Sequence, residues 1–266
     1  MPYTKINGLD FYYEITGKGN PVIFINGIFA TTLHWGYQVN ALKNDFRVIT
    51  FDGRDQGQTQ RPTKDYVFQD HISDLKGLMD NLGIEKADIA AISHGSTVAG
   101  QFASQYPEKV NKLVLISGIA DFDPMTRDIF KFIASCLEEQ SLAEFYKTLM
   151  LFGCGEVFYA KIADKLDLLA DDFAKRFDHN RDIPHRLIRA ARAGQLPFTK
   201  KLANITAPTL VVAGRYDRYI NLSRAFHLKE NIKNSKLVII EECGHTVNIE
   251  KPEELNQVLF DFLKDS

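Results

Sequence analysis

Cysteine is scarce: Cys136, Cys154 and Cys243 are the only three in 266 residues. An odd number with no C-x-x-C spacing supplies neither a disulfide framework nor a zinc ribbon. It fits a reducing compartment, so a cytoplasmic location is expected. An excess of one charge is also lacking. The 32 basic and 34 acidic side chains leave a formal net charge of -2, which gives no electrostatic footprint for nucleic acid or an acidic membrane surface. No apolar run approaches the roughly 20 residues of a membrane span. The opening stretch, MPYTKINGLDFYYEITG, alternates polar and apolar residues, where a signal peptide would place a basic patch before an apolar stretch. No G-x-G-x-x-G or G-x-x-x-x-G-K-[ST] follows a strand-like run and no H-E-x-x-H spacing occurs, so neither a nucleotide cofactor nor a metal is expected.

What is present is an ordinary globular composition, 45% hydrophobic and 25% charged, long enough for one large domain with an insertion. Short β-branched runs alternate with stretches of helical period up to about Gly118 and again from about Pro208. That alternation predicts a mainly parallel sheet with crossover helices. The expected core strands are PVIFIN (21–26), RVITFD (47–52), ADIAAI (87–92), KLVLIS (112–117), TLVVAG (209–214) and KLVII (236–240). Their nearly continuous apolar character suits strands covered on both faces. Tyr3 to Ile6 and Phe11 to Ile15, joined by Asn7 and Gly8, read as an edge hairpin.

Between Asp121 and Asn204 the pattern turns helical: MTRDIFKFIASCLEEQ, SLAEFYKTLM with a capping box at Ser141 and Glu144, GEVFYAKIADKLDLL, and IPHRLIRAARAG. The expected organisation is a core of residues 1–120 and 207–266 with a helical cap, or lid, over 121–206. Phe130, Phe132, Phe145, Tyr146, Phe152, Phe158 and Tyr159 read first as cap core, although a lid also needs an apolar inner face. Arg181, Arg186, Arg189 and Arg192, interleaved with Asp178 and Asp182, read as a solvated helix face. Trp35 reads as pocket or core lining, and His34 and His71 as ordinary surface or helix residues.

The segment ADIAAISHGSTVAGQFASQYP carries the chemistry, because a buried strand runs through a sharp turn at Ser93 into a helix ending near Tyr106 and Pro107. A nucleophile elbow needs that context and small residues two before and two after the serine. Ala91 and Gly95 stand there, so G-x-S-x-G appears as A-x-S-x-G. A neutral hydroxyl is a weak nucleophile and needs a base, itself oriented by a carboxylate. Asp217 follows the strand TLVVAG, and His245 precedes the last helix, in the chain order Ser, Asp, His.

With these residues in that order, the chain resembles the α/β-hydrolases from end to end. The resemblance implies an α/β-hydrolase fold: an eight-stranded, mostly parallel sheet with its second strand antiparallel, flanking helices and an inserted helical cap. It implies Ser93 as nucleophile, His245 as base and Asp217 as its orienting acid. The family's H-G-x oxyanion segment corresponds to Asn26, Gly27 and Ile28, which implies the backbone N–H groups of Ile28 and His94 as oxyanion donors. The D-x-R-G-x-G-x-S loop corresponds to residues 52–59, with Asp55 in place of a glycine. The activity implied is carboxylesterase-like hydrolysis of a small, largely apolar acyl substrate through an acyl-enzyme, without a cofactor.

Three alternatives stand beside it. N-G-x-x-A-T-T (Asn26 to Thr32), the F-D…G-Q-T loop (Phe51 to Thr59) and the Tyr216 to Tyr219 string resemble the acyltransferases that join 3-hydroxyacyl chains into the rhamnolipid precursor. The triplet Ser93, His94, Gly95 also resembles cofactor-free dioxygenases of the same fold. A non-catalytic ligand-binding relative would usually lack a triad member.

Overall fold

The computed structural model describes residues 2–178, 180–193 and 198–265. Eight strands form one sheet in the order β1-β2-β4-β3-β5-β6-β7-β8: β1 Tyr3–Ile6, β2 Leu9–Thr16, β3 Asn20–Ile25, β4 Phe46–Phe51, β5 Ala87–Ile92, β6 Val110–Ile116, β7 Thr209–Gly214 and β8 Ser235–Ile240. Antiparallel pairing is confined to β1 with β2 and β2 with β4; the other pairs are parallel. Asn7 and Gly8 make the predicted β1–β2 turn, both at positive φ of 48° and 84°, as a two-residue hairpin of this twist requires.

Among the described residues, eleven α-helices accompany the sheet: α1 Gly36–Leu42, α2 Phe68–Asn81, α3 His94–Gln105, α4 Pro124–Glu139, α5 Leu142–Gly153, α6 Glu156–Ile162, α7 Leu166–Phe177, α8 Asp182–Ala193, α9 Leu222–Asn231, α10 Val247–Glu250 and α11 Pro252–Lys264. The two faces of the sheet bury separate clusters. Ile23, Ile49, Ile89 and Leu113 pack with α2 and α3 on one side. Phe24, Val48, Ala90 and Val212 pack with Trp35 and α11 on the other. Every residue of β5 and β7 is buried, which explains why these strands read as unbroken apolar runs.

Helices α4 to α8 lie between β6 and β7 and have their own core of Phe145, Phe173, Phe177, Ile183 and Leu187. Ser141 caps α5, its Oγ accepting from Glu144 N at 3.2 Å. The segment GEVFYAKIADKLDLL is not one helix, however. It divides into α6 and α7 across a 3-10 turn at Ala163–Lys165, and α7 continues to Phe177. Phe198, Leu202 and Ile205 join the core of the sheet instead of that of the inserted helices. Gly194, the last residue of the fourth predicted segment, lies outside the described residues. Among the described residues, no helix is long and apolar enough to cross a membrane.

Candidate active site

Ser93 sits between β5 and α3 with φ 57° and ψ -123°, a backbone state that costs a non-glycine residue of order 1–3 kcal/mol and persists only where its surroundings over-determine it. They do so here. Ser93 N donates to Ile116 O at 2.9 Å and Ser96 N donates to Ser93 O at 2.9 Å. The Ser96 hydroxyl lies 2.6 Å from Ala91 O and 2.8 Å from Ile116 O. Gly95 is fixed by contact, since a Cβ there would stand 2.5 Å from Asn26 O and 2.6 Å from Ile25 O.

That close approach brings the Asn26–Ile28 segment against the turn. A Cβ on Gly27 would lie 3.2 Å from Ser93 Cβ and 3.7 Å from its Oγ. His94 is the first residue of α3, where backbone N–H groups have no intrahelical acceptor and the helix dipole is positive. The Asn26 side chain, where the resemblance places histidine, donates from Nδ2 to Phe51 O at 3.0 Å.

Asp217 follows β7 and His245 precedes α10. His245 Nδ1 is 2.7 Å from Asp217 Oδ2, and Asp217 Oδ1 accepts from the N–H groups of Tyr219 and Ile220, both at 2.9 Å. A carboxylate only accepts, so Nδ1 must carry the proton and Nε2 is left as the acceptor nitrogen. The His245 backbone is held as well, N–H donating to Gly153 O at 2.6 Å and C=O accepting from Ser117 Oγ at 2.9 Å. The Tyr219 ring stands edge-on to the imidazole, centroids 5.1 Å apart.

Ser93, His245, Gly27 and Ile28 line one cavity of about 380 Å³, walled by Trp35, Phe130, Tyr146, Phe158 and Phe173 among others. Asp121 and Asp123, the next acids along the sheet, are engaged elsewhere. Asp121 pairs with Arg224 at 2.9 Å, and Asp123 caps α4 by accepting from Thr126 N at 2.7 Å. Burial pushes the Cys154 thiol up to about 12 and the Cys243 thiol higher still, so both stay protonated near neutral pH and neither competes as a nucleophile.

A family model described as alpha/beta hydrolase fold matches residues 20–252. The chain belongs to the α/β-hydrolase fold family. Among similar proteins of this family is the 2-hydroxy-6-oxononadienedioate/2-hydroxy-6-oxononatrienedioate hydrolase of Paraburkholderia phymatum, 30% identical over 96% of this chain and 91% of that protein. An α/β-hydrolase enzyme, MGS-M2 from a deep-sea metagenome library, superposes with a TM-score of 0.91 at 26% identity, covering 99% of this chain and 98% of the other. The enol-lactonase of Burkholderia xenovorans shares the fold, with a TM-score of 0.87 at 20% identity over 99% of this chain and all of the other. This α/β-hydrolase is therefore a hydrolase by kinship, with the bond it cleaves left to its site.

Several side chains depart from their sequence-based reading. Arg186 is not part of a solvated face. It makes a two-pronged pair with Asp55, Nε and Nη2 each 2.7 Å from a carboxylate oxygen. Asp55 is fully buried and holds φ 59°. The unusual acid in the glycine position is thus the core's anchor for α8, and breaking one such buried pair typically costs about 3–5 kcal/mol. Phe130, Tyr146 and Phe158 face the cavity, Phe145 lies in the core of the inserted helices, and Phe132 is exposed. His34 is half-buried in the cavity wall, kept neutral by burial and by the nearby charge of Arg176. Glu250, which carried no motif, is buried and accepts from Gly155 N, Gly244 N, Thr246 N and Thr246 Oγ1 at 2.8–3.0 Å. It ties the loop of His245 to the end of α5.

His71 is a buried histidine, and burial pushes its pKa down to about 3. Its Nε2 and that of His94 have no hydrogen-bond partner among the described residues, and the two rings meet at 5.0 Å behind the serine turn. Below its ordinary value of 6.5, the unfolded chain takes up a proton that the folded His71 refuses, so this site's contribution is intact above that pH and is lost as pH falls towards 3. Between pH 6 and 4, urea unfolding of His71→Leu should show a pH slope shallower than wild type by about 1.4 kcal/mol per unit. Equal slopes would contradict a neutral, buried His71.

Proposed function

We propose that this α/β-hydrolase cleaves a carboxylic ester, or a related acyl bond, of a small and largely apolar substrate through an acyl-enzyme on Ser93. The observation that carries the reading is the 2.7 Å contact of His245 Nδ1 with Asp217 Oδ2: a proton held on Nδ1 leaves Nε2 as the base, in a residue that lines the same cavity as Ser93. In this mechanism His245 Nε2 takes the Ser93 proton as Oγ attacks the carbonyl carbon. The resulting oxyanion is held by the N–H groups of Ile28 and His94, donors fixed before the reaction, each worth about 3 kcal/mol. His245 then passes the proton to the leaving alkoxide. Water, deprotonated by the same nitrogen, attacks the acyl carbon, releases the acid and restores Ser93.

Helices α4 to α8 supply the aromatic wall and act as the cap. The volume falls in the range of ordinary small-molecule sites. Water is preferred to a hydroxyacyl acceptor because the similar proteins named above are hydrolases or a lactonase. A panel of nitrophenyl esters of increasing acyl length, with and without a 3-hydroxy acid, tests the reading. Turnover with a chain-length optimum and free acid as main product is expected. No turnover of any ester would remove the ester reading, and a condensed ester as main product would replace hydrolysis by acyl transfer.

A further inference from the structure

The cavity that holds Ser93 adjoins a second one of about 200 Å³, and Phe29, Ala30 and Arg176 belong to the walls of both. Arg61 lines the second cavity as well. We infer that this second cavity binds a carboxylate carried by the substrate, with Arg61 and Arg176 as its two cationic contacts.

Arg61 is a half-buried guanidinium with a hydrogen-bonding nitrogen left over. Nη2 donates to Gly57 O at 3.0 Å, while Nη1 is buried with no partner among the described residues. Burying a guanidinium N–H without an acceptor is unfavourable, and burial pushes the Arg61 pKa down against the opposing pull of Asp55 and Asp52. The nearby carboxylates do not complete it. Both Asp55 oxygens are taken by Arg186, and Asp52 accepts from the N–H groups of Thr32 and Gln58, each at 2.8 Å. Arg176 lies on the Phe173 ring at 5.7 Å and donates from Nε to Asp172 O at 3.4 Å, and its guanidinium forms no ion pair among the described residues. The charged side chains lining the second cavity are Arg61, Arg176 and Asp55, and Asp55 is already paired with Arg186.

A planar guanidinium with free N–H groups selects an oxyanion, and a pair of them around a small chamber suits a carboxylate better than a neutral end group. The favoured substrate is thus an acyl compound with an apolar body lying along the aromatic wall and an anionic end beyond Phe29. The inference deepens the proposed reading and rests on it only for which bond is cleaved.

The test separates the two. The Ser93→Ala protein is titrated by calorimetry with monomethyl esters of diacids from succinate to suberate and with the matching dimethyl esters. The acid-bearing compound of the best length should bind at least about tenfold tighter, the size of one charge-assisted hydrogen bond. That advantage should fall to about one in Arg61→Met and in Arg176→Met, the latter an exposed position where methionine keeps an apolar contact with the Phe173 ring. The same half-esters as nitrophenyl derivatives, assayed on Ser93-containing protein, should show the matching preference in kcat/KM. Equal binding of acid and diester, or an advantage surviving in both arginine variants, overturns the carboxylate site. An arginine-dependent advantage without ester turnover keeps the site and overturns only the ester reading.

Discussion

Ser93→Ala is expected to lower kcat for the best ester by a factor on the order of 10⁴–10⁶ while leaving the fold intact. The size follows from what remains: without the nucleophile, binding and the oxyanion donors alone still exceed water, whereas the nucleophile and base act as one unit whose loss is nearly total. Retention of the fold follows from the structure of the turn. The Ser93 side chain lies in the cavity, and the positive φ of 57° is held by backbone bonds to Ile116 and Ser96 that alanine keeps. Esterase rates, circular dichroism and urea midpoints measure the two halves separately. A variant within tenfold of wild type would move the nucleophile elsewhere.

Asp217→Asn should cost about 10⁴-fold, by a route that the hydrogen bonds define. Asp217 Oδ1 already accepts two N–H groups, from Tyr219 and Ile220. In the asparagine variant the oxygen must stay there, because an NH₂ group cannot accept. The amide NH₂ is then directed at His245 Nδ1, which must become the acceptor, so the proton moves to Nε2 and the base is lost from the side facing Ser93. The geometry changes little, so stability should move by far less than activity. Asp217→Asn with near-normal turnover would require another acid, yet Asp121 and Asp123 are committed to Arg224 and to the α4 cap.

The sheet and the serine turn were legible because they are written locally. Each strand is a short apolar run, the hairpin is two residues of turn chemistry, and the elbow needs small side chains at Ala91 and Gly95 within five residues. The placement of Asp217 against His245, and of His245 in one cavity with Ser93, was legible through their position at strand ends and their order along the chain. What could not be read is what joins distant segments. Asp55 meets Arg186 across 131 positions, so periodicity alone placed that arginine on a solvated face. Glu250 looked like one of many helix carboxylates, although it satisfies four donors from three residues. His71 gave no signal because burial of a helix face is decided by its partner, here the helix that starts at His94. The division of α6 from α7 was missed because helical period runs through Ala163 without a breaker. A usable clue did exist at Asp55, since an acid where a glycine is expected at positive φ demands a compensating partner.

The central claim, that Ser93 is the nucleophile activated by His245, is tested most directly by covalent trapping. Incubation with a fluorophosphonate ester, followed by intact-mass and peptide analysis, should show one adduct per chain, located on Ser93. The adduct should be absent in Ser93→Ala and should form far more slowly in Asp217→Asn. An adduct on any other residue, or ester turnover that continues with Ser93 unlabelled, would contradict it.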